Sequence, residues 1–348
     1  MIMPIPARQR IIGGMFALET VSPNRSTPPF LKGKPVLLAN ARSGIALLAK
    51  LLSPAHVWMP SYLCEVMIKA VDELRASVRF YEVDYDLSLS SSEWIESVQS
   101  NDLVVLIDYF GFPCDPYYIN WAKERGAWVL EDGCQALLSE AVGRSSDFVL
   151  FSPRKFLGVP DGGILVCNHE LPGDAILTET PPSAWWLKAL SASLLRREFD
   201  LYGGDRRWFE LFRETEDDGP IGPYAMSEFS NMLLQNSFDY AMIAGKRIEN
   251  YELLANELRE FALFPSLRRG VVPLGFPIRV KDRDRVRQAL FDHEIYPPVH
   301  WPIQGVVPEE FSDSHRLASE IMTLPCDQRY GKDDMKRMIA VVLKETAS

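Results

Sequence analysis

The residues best suited to chemistry stand just after short apolar runs. After Ala127–Leu130 come Glu131, Asp132, Gly133, Cys134 and Gln135. After Phe148–Phe151 come Ser152, Pro153, Arg154 and Lys155, and then Pro160-Asp161-Gly162-Gly163. Ahead of the first long helical pattern sits Ala41-Arg42-Ser43-Gly44. Taken singly, each has a plainer use: an Asp as a turn or cap, a solvated lysine, Ser-Gly as a helix start, Gly-Gly as a hairpin turn. Ligands of open α/β sheets, however, sit outside the carboxyl ends of the strands, so these residues fall on one rim. Together they supply what pyridoxal phosphate chemistry requires. Lys155 offers the Schiff-base amine and Asp132 a carboxylate for the pyridine nitrogen. Arg42–Gly44 and Ser152 offer a phosphate cradle at a helix N-terminus. A buried carboxylate beside a pyridinium keeps the ring protonated, because each charge favours the other.

The elements that must position these residues alternate over 36–168. Strand candidates are Val57–Met59, Val78–Val83, Leu103–Ile107, Ala127–Leu130, Phe148–Phe151 and Ile164–Cys167. Between the first two, Leu63, Val66, Met67, Ala70, Val71 and Leu74 share one helical face. Asp115–Arg125 reads as a helix closed before Gly126. This alternation predicts a mostly parallel, helix-covered sheet. Near Leu171 the pattern changes. Pro181-Pro182 leads into a Trp-containing helix, GPIGP at 219–223 is a break, and one long helical run spans Met226–Phe261. A strand at Phe276–Val280 and helices at Asp284–Phe291 and Asp333–Leu343 complete a smaller α+β unit. The expected division is an N-terminal arm (1–35), a large α/β domain (36–225) and a long helix with a small domain (226–348).

Composition removes whole classes of function. The chain has 348 residues, 47% hydrophobic and 24% charged, which is a folded globular protein with ample core. Its net charge of −10, with no Lys/Arg block, argues against nucleic acid or an anionic membrane as partner. No apolar run approaches the ~18–20 residues of a membrane helix. The five cysteines (64, 114, 134, 167, 326) form no CxxC pair, as expected of reduced thiols in the cytoplasm. The five histidines show no ligand spacing, so no metal is expected. No GxGxxG or GxxxxGK[ST] occurs.

Four blocks, in order, resemble the DegT/DnrJ/EryC1/StrS (sugar) aminotransferases. They are LIDYFGFPCDPYYINWAKERGAWVLEDGCQALLSEAVGR, LFSPRKFLGVPDGGILV, MSEFSNMLLQNSFDYAMIAGKRIENYELL and GFPIRVKDRDRVRQALFDHEIYPPVHWP. The resemblance implies fold type I of the pyridoxal 5'-phosphate enzymes: a mostly parallel seven-stranded sheet between helices, with a smaller α+β C-terminal domain. It also implies roles. Lys155 matches the Schiff-base lysine, Asp132 the partner of the ring nitrogen and Gln135 the neighbour of the phenolic oxygen. Ser152, Ser43 and Gly44 match phosphate contacts, and Tyr62 to Cys64 cover one ring face. Arg154, His300 and Trp301 fall near the substrate mouth.

The implied activity is transfer of an amino group from a donor such as glutamate to a nucleotide-linked keto sugar, in a cytoplasmic homodimer serving polysaccharide synthesis. Two other readings stay open: a pyridoxal phosphate lyase or dehydratase, and a silent binding or regulatory relative. This chain departs from the family in three places. Ser152 stands three residues before the lysine rather than five, and Pro223 and Ala225 replace the family's Asn and Arg before the long helix. The family's frequent His is missing from 108–110. Adjacent Trp185 and Trp186 suggest a buried interface.

Overall fold

The continuous apolar runs become buried strands. A computed structural model describes residues 10–21, 26–33, 35–72, 76–89, 91–169 and 178–347. Parts of the expected arm (1–9, 22–25 and 34) and the pattern change near Leu171 lie outside the described residues. In chain order, β1 (Ile12–Gly13) and β2 (Val36–Leu38) precede α1 (Ala41–Leu52), β3 (His56–Pro60), α2 (Glu65–Asp72) and β4 (Ser77–Tyr81). Next come α3 (Glu93–Glu96), β5 (Leu103–Ile107), α4 (Pro116–Glu124), β6 (Trp128–Asp132), β7 (Phe148–Phe151) and β8 (Gly163–Cys167). Four helices follow: α5 (Ser183–Tyr202), α6 (Arg207–Asp217), α7 (Glu228–Asn236) and α8 (Tyr240–Glu257). The last elements are β9 (Phe276–Arg279), α9 (Arg283–Asp292), β10 (Ile295–Tyr296), α10 (Ser312–Glu320), β11 (Ile321–Leu324) and α11 (Lys332–Thr346).

The main sheet has seven strands in the order β2-β8-β7-β6-β5-β3-β4. Strands β7, β6, β5, β3 and β4 run parallel, while β8 is antiparallel to both neighbours. All five residues of β5 are buried, which explains its unbroken apolar run: a strand covered on both faces cannot alternate. Each such side chain contributes about 1.5–3 kcal/mol. A two-stranded antiparallel pair, β9 with β11, anchors the C-terminal unit. The N-terminal segment reaches across to that unit. Ile12 and Gly13 pair with Ile295 and Tyr296, and the Tyr330 hydroxyl accepts from Gly13 N at 2.8 Å. Arg329 donates to the carbonyls of Gly14 and Met15.

The structure corrects the sequence expectations in three places. The run at 226–261 is two helices, because Asp239 caps a new one through Met242 N (2.9 Å) after the break at Ser237–Phe238. Strand β2 was not anticipated: three residues carry too short a pattern. Trp185 faces inward within its own chain, buried, with its indole N–H on the Thr215 carbonyl at 3.0 Å, so it joins α5 to α6 rather than marking an interface.

Candidate active site

Strand ends set the first group of residues. Asp132 closes β6 and pairs in register with Leu150 of the neighbouring parallel strand β7, so the Ser152–Lys155 turn starts beside it. Asp132 is buried, and one carboxylate oxygen accepts from Cys134 N at 3.0 Å. Gln135 is also buried. Its carbonyl oxygen accepts from Phe110 N at 2.7 Å, while its amide nitrogen has no acceptor. Behind this rim, Asp108 accepts from Cys114 N, and burial together with Glu131 pushes its carboxyl well above the usual range. Glu131 holds Ser146 Oγ and Gly143 N at 2.8 and 2.9 Å. Burial raises the Glu131 carboxyl as well, and Cys114 lies beside the two.

Lys155 is exposed to a cavity of about 700 Å³. Arg154, Glu216, His300 and Thr323 share its lining, and Trp208, Phe209 and Phe212 of α6 form an aromatic wall. His300 Nδ1 lies 2.9 Å from Thr323 Oγ1. Burial, with the Lys155 charge nearby, pushes the His300 pKa down to about 3, so the ring is neutral at physiological pH. The same lysine draws on the Cys64 and Cys134 thiols, whose pKa values burial raises. Both thiols also feel Asp132, which places all four groups in one neighbourhood.

The N-terminus of α1 differs from expectation in detail. Asn40 caps it, accepting from Ser43 N (3.0 Å) and Ser43 Oγ (3.1 Å), and the Ser43 hydroxyl also reaches the Pro220 carbonyl. Ser43 is thus committed to the protein. Gly44 is explained by packing, since a Cβ there would lie 2.6 Å from Leu150 Cδ1 on β7. Two arginines stand at this edge. Arg154 Nη1 is 2.6 Å from Glu216 Oε1 of α6, and Arg42 Nη2 is 3.9 Å from Glu216 Oε2. Burial opposes the Arg154 charge, and Glu216 more than restores it.

Among the other expected residues, Ser152 is buried at the start of the lysine turn, without a side-chain cap bond. Tyr62 is fully buried, with ring centroids 5.5 Å from Trp301 and 5.9 Å from Tyr109. Trp301 therefore packs on Tyr62 and Tyr109, whereas His300 reaches the cavity. Residues 223–226 extend the sheet edge: Ala39 N donates to the Tyr224 carbonyl (2.8 Å) and Met226 N to the Leu37 carbonyl (3.1 Å). Asp161 is buried and holds Ser227 N and Oγ at 2.7 and 2.5 Å, fixing the start of α7. Sequence reasoning missed Glu216, which sits in the acidic ETEDD run and reads as a solvated helix end.

A lysine at the carboxyl end of a mostly parallel sheet, with a buried Asp on the adjacent strand, defines an enzyme of the pyridoxal phosphate fold type I class. Residues 45–343 match the DegT/DnrJ/EryC1/StrS aminotransferase family, and the chain belongs to it. It is a pyridoxal-phosphate-dependent aminotransferase. No curated protein matches it in sequence. Many solved structures share its fold, among them the following three. Aminotransferase TlmJ from Streptoalloteichus hindustanus is 19% identical, over 90% of this chain and 86% of that one, with a TM-score of 0.64. S. venezuelae DesV is 18% identical, over 92% and 86%, at 0.66. The putative sugar aminotransferase Spr1654 from Streptococcus pneumoniae, in its PLP form, is 12% identical, over 90% and 87%, also at 0.66. The residues present fit the cofactor. Gln135 Nε2 and Arg154 Nε are buried donors awaiting acceptors, and Arg154 lines the cavity onto which Lys155 opens. Among the described residues no helix is long and apolar enough to cross a membrane.

Proposed function

We propose that this enzyme moves an amino group from a donor such as glutamate to a keto sugar, linked to a nucleotide, by two successive half-reactions in one site. The observation that supports this is Lys155 opening onto the cavity while the buried Asp132 ends the adjacent strand, both acting on the Cys64 and Cys134 thiols. Bound pyridoxal phosphate supplies an electron-withdrawing ring that makes the Cα proton of an attached amino acid labile. The rest falls to the protein. Lys155 Nζ would hold the cofactor's aldehyde carbon and, once freed, would take up and return the substrate proton. Asp132 would pair with the ring nitrogen, and Gln135 Nε2 would donate to the phenolic oxygen. His300, neutral and tethered to Thr323, orients the acceptor at the mouth.

The cofactor-binding unit spans 36–225 and the smaller unit 226–348. A homodimer is part of the same reading. It is supported by Leu187, Leu194 and Leu201, spaced seven apart on α5 and all exposed. The test is spectroscopic: visible absorption of the protein with pyridoxal phosphate, before and after glutamate, beside Lys155→Ala. A violet-region band that needs Lys155 and fades with the donor supports the reading. A band that ignores every amino donor moves the assignment to lyase chemistry or a silent relative.

A further inference from the structure

At the cavity edge an ion cluster joins Arg154 and Glu216 of the lining to Arg42. Arg42 and Arg154 come from different elements, α1 and the lysine turn, and their side chains are only 11% and 19% exposed. The single carboxylate between them, Glu216, satisfies neither well. It meets Arg154 through Nη1 alone, leaving the buried Nε without an acceptor, and it stands 3.9 Å from Arg42. Two guanidinium groups so spaced suit an anion with more oxygens than a carboxylate, because arginine's fork binds best through paired N–H bonds. Arg42 also lies in the first turn of α1. Among the described residues, no acceptor meets the backbone N–H of Ala41 or Arg42.

We infer that Arg42 and Arg154 form a phosphate monoester site for the cofactor, and that Glu216 is a built-in occupant which must leave before the phosphate enters. This rests on the pyridoxal phosphate reading and deepens it. The arginines do the work that Ser43, tied to Asn40 and Pro220, does not. Helix α6 is suited to release its carboxylate. Only Trp208 and Thr215 of its residues are buried, and Gly204 (φ 114°) and Gly222 (φ 149°) flank it. A dianion and the Glu216 carboxylate cannot both sit between the arginines, since like charges at contact distance repel. Cofactor binding is therefore a competition between an internal and an external anion.

The experiment titrates wild type, Glu216→Gln and Arg42→Met with pyridoxamine phosphate, pyridoxamine and inorganic phosphate, following tryptophan fluorescence and heat of binding. Glu216→Gln should bind pyridoxamine phosphate and inorganic phosphate roughly tenfold more tightly, the equivalent of about 1.4 kcal/mol. Arg42→Met should weaken both, and pyridoxamine should be unaffected by either change. Equal or weaker phosphate binding by Glu216→Gln would overturn the inference, as would an equal gain for pyridoxamine. The inorganic phosphate arm separates the two ideas. If phosphate responds as expected while pyridoxamine phosphate never binds, the anion site stands and the cofactor reading fails.

Discussion

Two glycines at the α1–sheet contact look alike in sequence, yet alanine should affect them very differently. A Cβ at Gly44 would lie 2.6 Å from Leu150 Cδ1, about 0.8 Å inside ordinary contact. Its neighbour is the end of a side chain, which can turn, and alanine gains about 1 kcal/mol over glycine within a helix. Overpacking costs about 1–3 kcal/mol, so the net loss should be about 0–2 kcal/mol. At Gly163 the intruded atoms are Asn40 C and O, both at 2.3 Å, and Ala41 N at 2.6 Å. This is backbone with no rotamer to turn. Either the Leu38–Gly163 pairing or the start of α1 must shift by about 1 Å. The cost should reach or exceed the upper end of that range, about 3 kcal/mol or more. Because Asn40 caps the turn carrying Arg42, phosphate binding should weaken as well. The assay is the urea midpoint of each variant, with pyridoxamine phosphate affinity on the folded fraction. Gly163→Ala matching Gly44→Ala within about 0.5 kcal/mol would refute the reasoning.

Three further outcomes are expected. His300, held near a pKa of about 3 by burial and Lys155, contributes stability that is complete above about pH 6.5 and is lost as pH falls towards 3. His300→Asn should show a flatter acid limb in urea unfolding between pH 7 and 4; identical limbs would count against it. Asp108→Asn keeps the acceptor for Cys114 N and removes the titratable group. A raised carboxyl stabilises the fold below its ordinary pKa range and loses that contribution as pH rises through the folded value, so the variant should lose less stability than wild type as pH rises from about 4; equal slopes would count against a proton held on Asp108. Asp327 pairs with Arg329 at 2.8 and 2.9 Å, 7% and 17% exposed, and Asp327→Asn should cost about 3–5 kcal/mol. Proteolysis near residues 10–20 should accelerate with it, since Arg329 holds Gly14 and Met15.

The strands were legible because both faces of the sheet are covered, so β5 and β7 survive as unbroken apolar words. The lysine turn and Asp132 were legible for the same reason, since they punctuate those words. Other features were not. Apolar spacing runs through Phe238 and Tyr240 without a gap, and only the Asp239 cap reveals the break between α7 and α8. Glu216 could not be told from Glu214 or Asp218, which turn to Lys188 instead. Its importance comes from Arg42, more than 170 positions away. Gly44 also has a packing reason that its sequence neighbours do not reveal, the contact with Leu150.

The crossing of the N-terminal segment to the C-terminal unit has a consequence for biosynthesis. Gly13 leaves the ribosome long before the hydroxyl that holds it, which belongs to Tyr330, 317 positions later. At 5–20 residues per second that partner arrives roughly 16–63 s after Gly13 is made. Ile11, Gly13 and Phe16 form part of the cavity wall, so the nascent chain carries Lys155 and Arg154 in a half-open trough until Tyr330 has emerged. Capture of the cofactor thereby becomes a property of chains that have passed Tyr330, and a fragment stalled before it is left without the room in which to bind.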